Sequence, residues 1–270
     1  MTLQQLQIPV QAEYDRFVQE YQARTFDQTP ILDEVGAFLD GHPGKRLRPL
    51  MLLLAAKACG TMSDGHILLA TAVEMLHNAS LMHDDVVDES DTRRGQASVR
   101  GRWGNQAAVL CGDYYFAQTM QLLQQVGNPQ ASALVAKTVT DMSRGELLQL
   151  SVTRGDHASL DEYLQVIQNK TASLISTCCR LGASSLTDSP APYVDTLGDF
   201  GLHYGIAFQL HDDLGSLNPV HDVALPQGID ARDLLGRHTR LASLALDSLP
   251  SSEARETLRS LLLPSAPQPE

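Results

Sequence analysis

The sequence predicts an all-α fold built on one core, and three observations carry that expectation. Apolar residues recur at intervals of three and four over most of the chain, as one buried face of a helix requires. Alternating runs rich in β-branched and aromatic residues, the mark of half-buried strands, are nearly absent. Breaker residues punctuate the pattern at Pro43-Gly44, at Gly101 to Gly104 and at Pro190-Ala191-Pro192, none long enough to be an interdomain linker. With 43% hydrophobic residues in 270, one large core is the simplest organisation.

Each element has its own signal. Leu50 to Ala56 is an apolar helical run entered through Gly44-Lys45-Arg46-Leu47-Arg48-Pro49 and broken by Lys57, too short to span a bilayer. Ser63 or Asp64 can cap a helix carrying Ile67 to Asp88, and Asn128 before Pro129 suits another helix start. Ser159 and Glu162 form a capping box ahead of a helix from Tyr163 to Leu181. The helical domain is expected over residues 1–263, with a disordered proline-bearing tail over 264–270.

Composition excludes some functions. A formal net charge of -12 argues against nucleic-acid binding, which needs a basic face to neutralise phosphates. Cys59, Cys111, Cys178 and Cys179 form no CxxC pair and read as small core residues in a reducing compartment. The N-terminus lacks a basic start followed by an apolar stretch, so a cytoplasmic location with no transmembrane segment is expected.

The chemistry is concentrated in a few places. Leu81-Met82-His83-Asp84-Asp85 is echoed far downstream by Gln209-Leu210-His211-Asp212-Asp213, which suggests two helices delivering carboxylates to one cavity. On a helix, His77, Asp84 and Asp88 fall within roughly 20° of one line, because intervals of seven and eleven residues are near whole turns. Two carboxylates one turn apart repel unless they are well solvated or share a cation, and Mg²⁺ suits them, taking one or two carboxylates and completing its shell with water and phosphate oxygens. A solvated acidic helix end explains Asp84, Asp85, Asp88, Glu89 and Asp91 equally well when taken alone. Arg93-Arg94 beside them tips the balance toward a diphosphate held by cation and guanidinium together. Lys45, Arg46 and Arg48 at a helix start sit where the dipole disfavours cations, which points to an anion bound there with the backbone N–H groups. Snorkelling charge is the plainer alternative.

The ordered set GKRLRP (44–49), EMLHNASLMHDDVVDESDTRRG (74–95), GDYYFAQ (112–118), KTASLI (170–175) and GIAFQLHDD (205–213) resembles the trans-isoprenyl, or polyprenyl, diphosphate synthases over roughly residues 40–240. The resemblance implies a single-domain antiparallel helical bundle of the isoprenoid-synthase type around a central substrate cavity. It implies a Mg²⁺-dependent prenyltransferase condensing an allylic diphosphate with isopentenyl diphosphate. Asp84 and Asp88 would hold Mg²⁺ on the allylic diphosphate with Asp85 in support, Arg93 would contact the same substrate, and Asp212 would bring Mg²⁺ from the opposite wall. Lys45, Arg48, His77 and Arg94 would bind isopentenyl diphosphate. Lys170, Thr171 and Gln209 would steady the allylic phosphate and the cation beneath it. The departing diphosphate would take the proton, so no protein base is required.

In the family that this chain resembles, product length depends on the residue five positions before the first aspartate; here that is Ala79, followed by Ser80, and with small side chains there the resemblance implies a product longer than farnesyl unless Leu76 or a deeper side chain closes the path. The resemblance also implies a homodimer formed through the helix containing Gly112 to Leu123, with a hetero-oligomer as the alternative.

Departures from the family pattern lie late in the chain. Ser216 stands where a third aspartate is expected, Leu225 replaces a lysine, and Arg237 replaces another; the C-terminal part also reads as one or two helices short. These open a second reading, a catalytically impaired subunit that binds substrate or stabilises an active partner. Two other classes fit less. A di-iron bundle needs two ExxH motifs, whereas Glu74 to His77 gives one, and a phosphohydrolase centred on His83-Asp84 leaves GKRLRP and KTASLI unexplained.

Overall fold

The computed structural model describes residues 2–93, 95–152, 159–186, 191–215, 225–226 and 228–262. The expected tail at 264–270, Arg94 and Ser216 lie outside the described residues. The short helix α1 (Leu3–Gln7) and a 3₁₀ turn (Ile8–Val10) lead into α2 (Gln11–Thr25) and α3 (Pro30–Gly41). Then come α4 (Leu47–Cys59), α5 (Asp64–Val87), a two-residue ribbon of β1 (Thr92–Arg93) and β2 (Gln96–Ala97), α6 (Val99–Val126) and α7 (Pro129–Val152). The rest is α8 (Leu160–Ile167), a π turn (Gln168–Ala172), α9 (Ser173–Ala183), α10 (Val194–Gly215), α11 (Ala231–Asp247) and α12 (Glu253–Ser260). The all-α expectation holds, the antiparallel ribbon with Thr92 opposite Ala97 being the only strand pairing among the described residues.

Helix α4 is the hub. Every residue from Leu47 to Ala56 is buried, which a helix apolar on all sides requires. It packs against α2, α5, α9 and α12, and α5 in turn packs along α6. A second, smaller apolar cluster joins α8 to α10 around Tyr163, Ile167, Ile206 and Leu210. No helix among the described residues is long and apolar enough to cross a membrane.

The capping signals read from sequence are mostly realised. Asn128 Oδ1 accepts from the Ala131 N–H at 2.8 Å, and Ser159 with Glu162 forms the reciprocal box. Ser63 does occupy the N-cap of α5, but its Oγ lies 2.9 Å from His66 Nδ1 and makes no bond to a helix N–H. The His66 ring, buried between Ser63 and the Ser184 carbonyl, competes for the hydroxyl. Two expectations need revision. The break at Gly101 to Gly104 is a kink confined to Gly104 (φ 82, ψ 171), with helix on both sides. The helix expected from Tyr163 to Leu181 is interrupted by the π turn, which inserts an extra residue at Lys170 and Thr171.

Candidate active site

The C-terminal half of α5 supplies the first wall of a cavity of about 840 Å³. His77, Asp84 and Asp88 all line it, as their common helical face requires, with Ala79 and Ser80 on the same wall. Asp88 is the C-cap of α5, so the helix ends where the acidic motif ends. The chain then folds into the β ribbon, which returns Arg93 to the carboxylates. Arg93 donates from Nε at 3.0 Å and Nη2 at 2.9 Å to Asp85 Oδ1. Asp85 is buried, and its carboxylate holds the Arg93 guanidinium in place.

The facing wall comes from α7, the π turn and α10. Lys170, Thr171, Gln209 and Asp212 line the same cavity. Lys170 Nζ lies 3.0 Å from Glu146 Oε1 and 3.2 Å from Gln149 Oε1. Thr171 Oγ1 donates to Gln209 Oε1 at 3.0 Å, while Gln209 Nε2 donates to Asp213 Oδ1 at 2.9 Å. The Tyr163 hydroxyl donates to the other Asp213 oxygen. Both ends of the Gln209 amide are therefore committed, and its carbonyl is turned toward Thr171. Asp212 is half exposed; partial burial raises its carboxyl pKa, while His211 and Lys45 draw it down.

A smaller adjoining pocket of about 120 Å³ is lined by Lys45, Arg48, His77, Asp85 and Arg93. Arg48, His77 and Arg93 face both spaces. Arg48 Nη1 and His77 Nε2 are 2.9 Å apart and buried. Because a guanidinium can only donate, the imidazole accepts at Nε2. All three cations of the cluster read from sequence line this pocket, and Arg46 is in addition paired with Asp40 at 3.0 Å.

Burial and neighbouring carboxylates disfavour an isolated negative charge at Asp84. Burial pushes the Asp84 carboxyl up to about 7; Glu146 and Asp88 add to the shift, and Lys170 and Arg93 oppose it. The donors at Asp84 and Asp88 are hard carboxylate oxygens, the set that suits Mg²⁺ when substrate phosphate completes the shell. Among the described residues no three His, Cys, Asp or Glu side chains gather into one ligand group, although Asp84, Asp88 and Asp212 line the same cavity.

Sequence reasoning missed Glu146 and Gln149 as lining residues, and Tyr163 as the buried partner of Asp213. Gly145 offered a clue to the α7 contact: a Cβ there would lie 2.7 Å from the Lys170 backbone nitrogen, so glycine is what lets α7 approach the π turn. The other wall is apolar, with Leu76, Phe116, Val139, Met142 and Leu174 below the carboxylates.

Comparison with known proteins agrees with this geometry. The polyprenyl synthetase family matches residues 29–258. Heptaprenyl diphosphate synthase component 2 of Geobacillus stearothermophilus is 39% identical over 68% of the chain. Octaprenyl diphosphate synthase of Escherichia coli (strain K12) is 35% identical over 70%. These alignments span only 57% and 58% of the relatives' own lengths. Among solved structures, a decaprenyl diphosphate synthase from Rhodobacter capsulatus superposes with a TM-score of 0.83 at 29% identity, covering 96% of this chain and 97% of that one. A polyprenyl synthase from Caulobacter crescentus CB15, complexed with calcium and isoprenyl diphosphate, gives 0.86 at 28% identity, covering 97% and 96%. A single all-helical bundle with this order of motifs, matched over most of its length, places the chain in the polyprenyl synthetase family.

Proposed function

We propose that the chain is a trans-prenyltransferase that condenses an allylic diphosphate with isopentenyl diphosphate to give a polyprenyl diphosphate longer than farnesyl. One observation carries the reading: Asp84 and Asp88 face Lys170, Thr171 and Gln209 across a large cavity whose far end is apolar, and a cationic pocket adjoins it. The apolar end suits a growing prenyl chain, and the pocket suits a second diphosphate.

Asp84 and Asp88 would hold Mg²⁺, which when bound supplies charge neutralisation to the leaving diphosphate. Arg93 and Lys170 add fixed positive charge where negative charge develops as the C–O bond cleaves. Thr171 and the Gln209 carbonyl, which line the cavity, would steady the allylic cation. Leu76, Phe116 and Leu174 keep water from the cation. Lys45, Arg48, His77 and Arg94 orient isopentenyl diphosphate so that its double bond attacks, and the departing diphosphate removes the proton. Ala79 and Ser80 leave the path along α5 open, and the names of two relatives carry hepta- and octaprenyl products.

The purified chain, supplied with Mg²⁺, labelled isopentenyl diphosphate and geranyl, farnesyl or geranylgeranyl diphosphate in turn, should extend at least one primer beyond farnesyl length. No extension with any primer, at high protein concentration, would overturn the reading.

A second reading, a subunit of reduced activity, is favoured by Leu225. This residue packs against the apolar cluster between α8 and α10, where a lysine would add charge. Ser216→Asp combined with Leu225→Lys separates the two: if missing charge limits the chemistry, turnover rises severalfold, and a flat response assigns the limit elsewhere.

A further inference from the structure

Three cations mark the entrance to α4 and line the small pocket, and Arg46 is the one that the substrate reading leaves unused. It is the N-cap of α4 with φ 46 and ψ 41, a left-handed conformation that a side chain disfavours and that persists only where the surroundings over-determine it. Here they do. Arg46 Nη2 lies 3.0 Å from Asp40 Oδ1, with the two side chains only 8% and 15% exposed. The guanidinium lies over the Tyr21 ring, 4.8 Å from its centroid, and 5.9 Å from that of Phe17. The Tyr21 hydroxyl accepts from Asn78 Nδ2 at 3.1 Å. Asn78 follows His77, the partner of Arg48.

One side chain thus ties α2 and α3 to the turn that aims Lys45 and Arg48 at the small pocket, and through Tyr21 and Asn78 it registers that turn against α5. We propose that Arg46 is a positioning residue for isopentenyl diphosphate, acting through Lys45 and Arg48 and not by touching the substrate. This rests on the function proposed above. The alternative role, direct ligation of the diphosphate, makes the opposite prediction for Asp40: releasing Arg46 from its carboxylate partner should then preserve or tighten binding.

The test uses the full chain and three variants. Arg46→Gly removes the side chain while keeping the left-handed turn accessible. Asp40→Asn removes the carboxylate charge at constant shape, and Arg46→Lys keeps the cation but loses the flat guanidinium that stacks and pairs together. Isopentenyl diphosphate is titrated calorimetrically in the presence of Mg²⁺ and an allylic thiodiphosphate that cannot ionise. The thiodiphosphate is also titrated alone, and circular dichroism checks that each variant folds. All three variants should bind isopentenyl diphosphate about tenfold more weakly while affinity for the allylic analogue stays within about twofold. Unchanged or tighter binding by Asp40→Asn overturns the proposal, as does full affinity in Arg46→Lys or an equal loss for both ligands. A wild-type chain that binds neither ligand overturns the functional reading itself, and the proposal with it.

Discussion

Asp84 is held where water alone would not stabilise its charge, with Glu146 and Asp88 near enough to raise its pKa further. A carboxylate in that position is expected to be indispensable if it holds the metal, and so is Asp88 one turn on. Asp84→Ala and Asp88→Ala should each lower turnover roughly 10²–10³-fold, the kinetic equivalent of several kcal/mol of charge stabilisation. Steady-state rates at saturating Mg²⁺ check this, and near-normal rates in either variant would remove that residue from the metal site. Ala79 is only 2% exposed and lines the cavity below Asp84, so Ala79→Phe fills the path instead of facing solvent. The product ladder should shorten with primer consumption retained, as chromatography of dephosphorylated products would reveal; an unchanged ladder places the growing chain elsewhere. At this scale the motif residues were legible because helical spacing fixes which side chains share a face. Glu146 and Tyr163 were not, because each matters through a partner distant in sequence and neither sits in a pattern that a local rule detects.

Helical periodicity located the segments, but tertiary packing set how they end and bend. The π turn at Gln168–Ala172 offered no signal beyond ordinary helix-forming residues, yet it sets the line along which Lys170 and Thr171 project. Its close neighbour across the gap is Gly145, and Gly145→Ala would force a methyl against the Lys170 backbone. The expected outcome is a loss of about 1–3 kcal/mol in stability from overpacking, with turnover reduced more steeply than the fraction folded. Denaturant titration beside activity measurements separates the two, and an unperturbed variant would mean that α7 moves aside freely. Helices α10 and α11 meet at another pH-sensitive contact, His203 Nδ1 and His238 Nδ1, 3.1 Å apart. Only one of these nitrogens can carry a proton in that contact. Burial lowers both pKa values, that of His238 to about 4; His203 and Arg237 lower His238 further, while for His203 Asp199 opposes the shift and Arg237 adds to it. Between about pH 6.5, the ordinary histidine value, and about 4 the unfolded chain binds more protons than the folded one. The pair's contribution is therefore full above that window and falls as pH drops through it, by on the order of 1 kcal/mol after solvent screening. Replacing His238 with Asn should flatten the decline of melting temperature from pH 7 to pH 5; an identical slope would exclude the pair as its source.

For the molecule as a whole, α6 presents an apolar outer face. Leu110 is 67% exposed and Met120 38%, with Val109 beside them, which supports pairing of two chains through this helix. Sedimentation should report about twice the chain mass for the wild type and a shift to single chains for Leu110→Glu with Met120→Glu. A wild type that sediments as a single chain would exclude pairing through α6. By itself the sequence determined the helical class, the helix starts at Asn128 and Ser159, and the convergence of two acidic helices on one cavity. Those properties follow from periodicity, capping chemistry and the order of motifs, all written locally. Only the tertiary structure decided that Asp85 pairs with Arg93, that Arg46 pairs with Asp40, that Glu146 lines the cavity beside Lys170, and that Tyr163 holds Asp213. Such assignments depend on which distant side chain comes within hydrogen-bonding distance, and that is fixed by packing around α4 and not by any spacing along the chain.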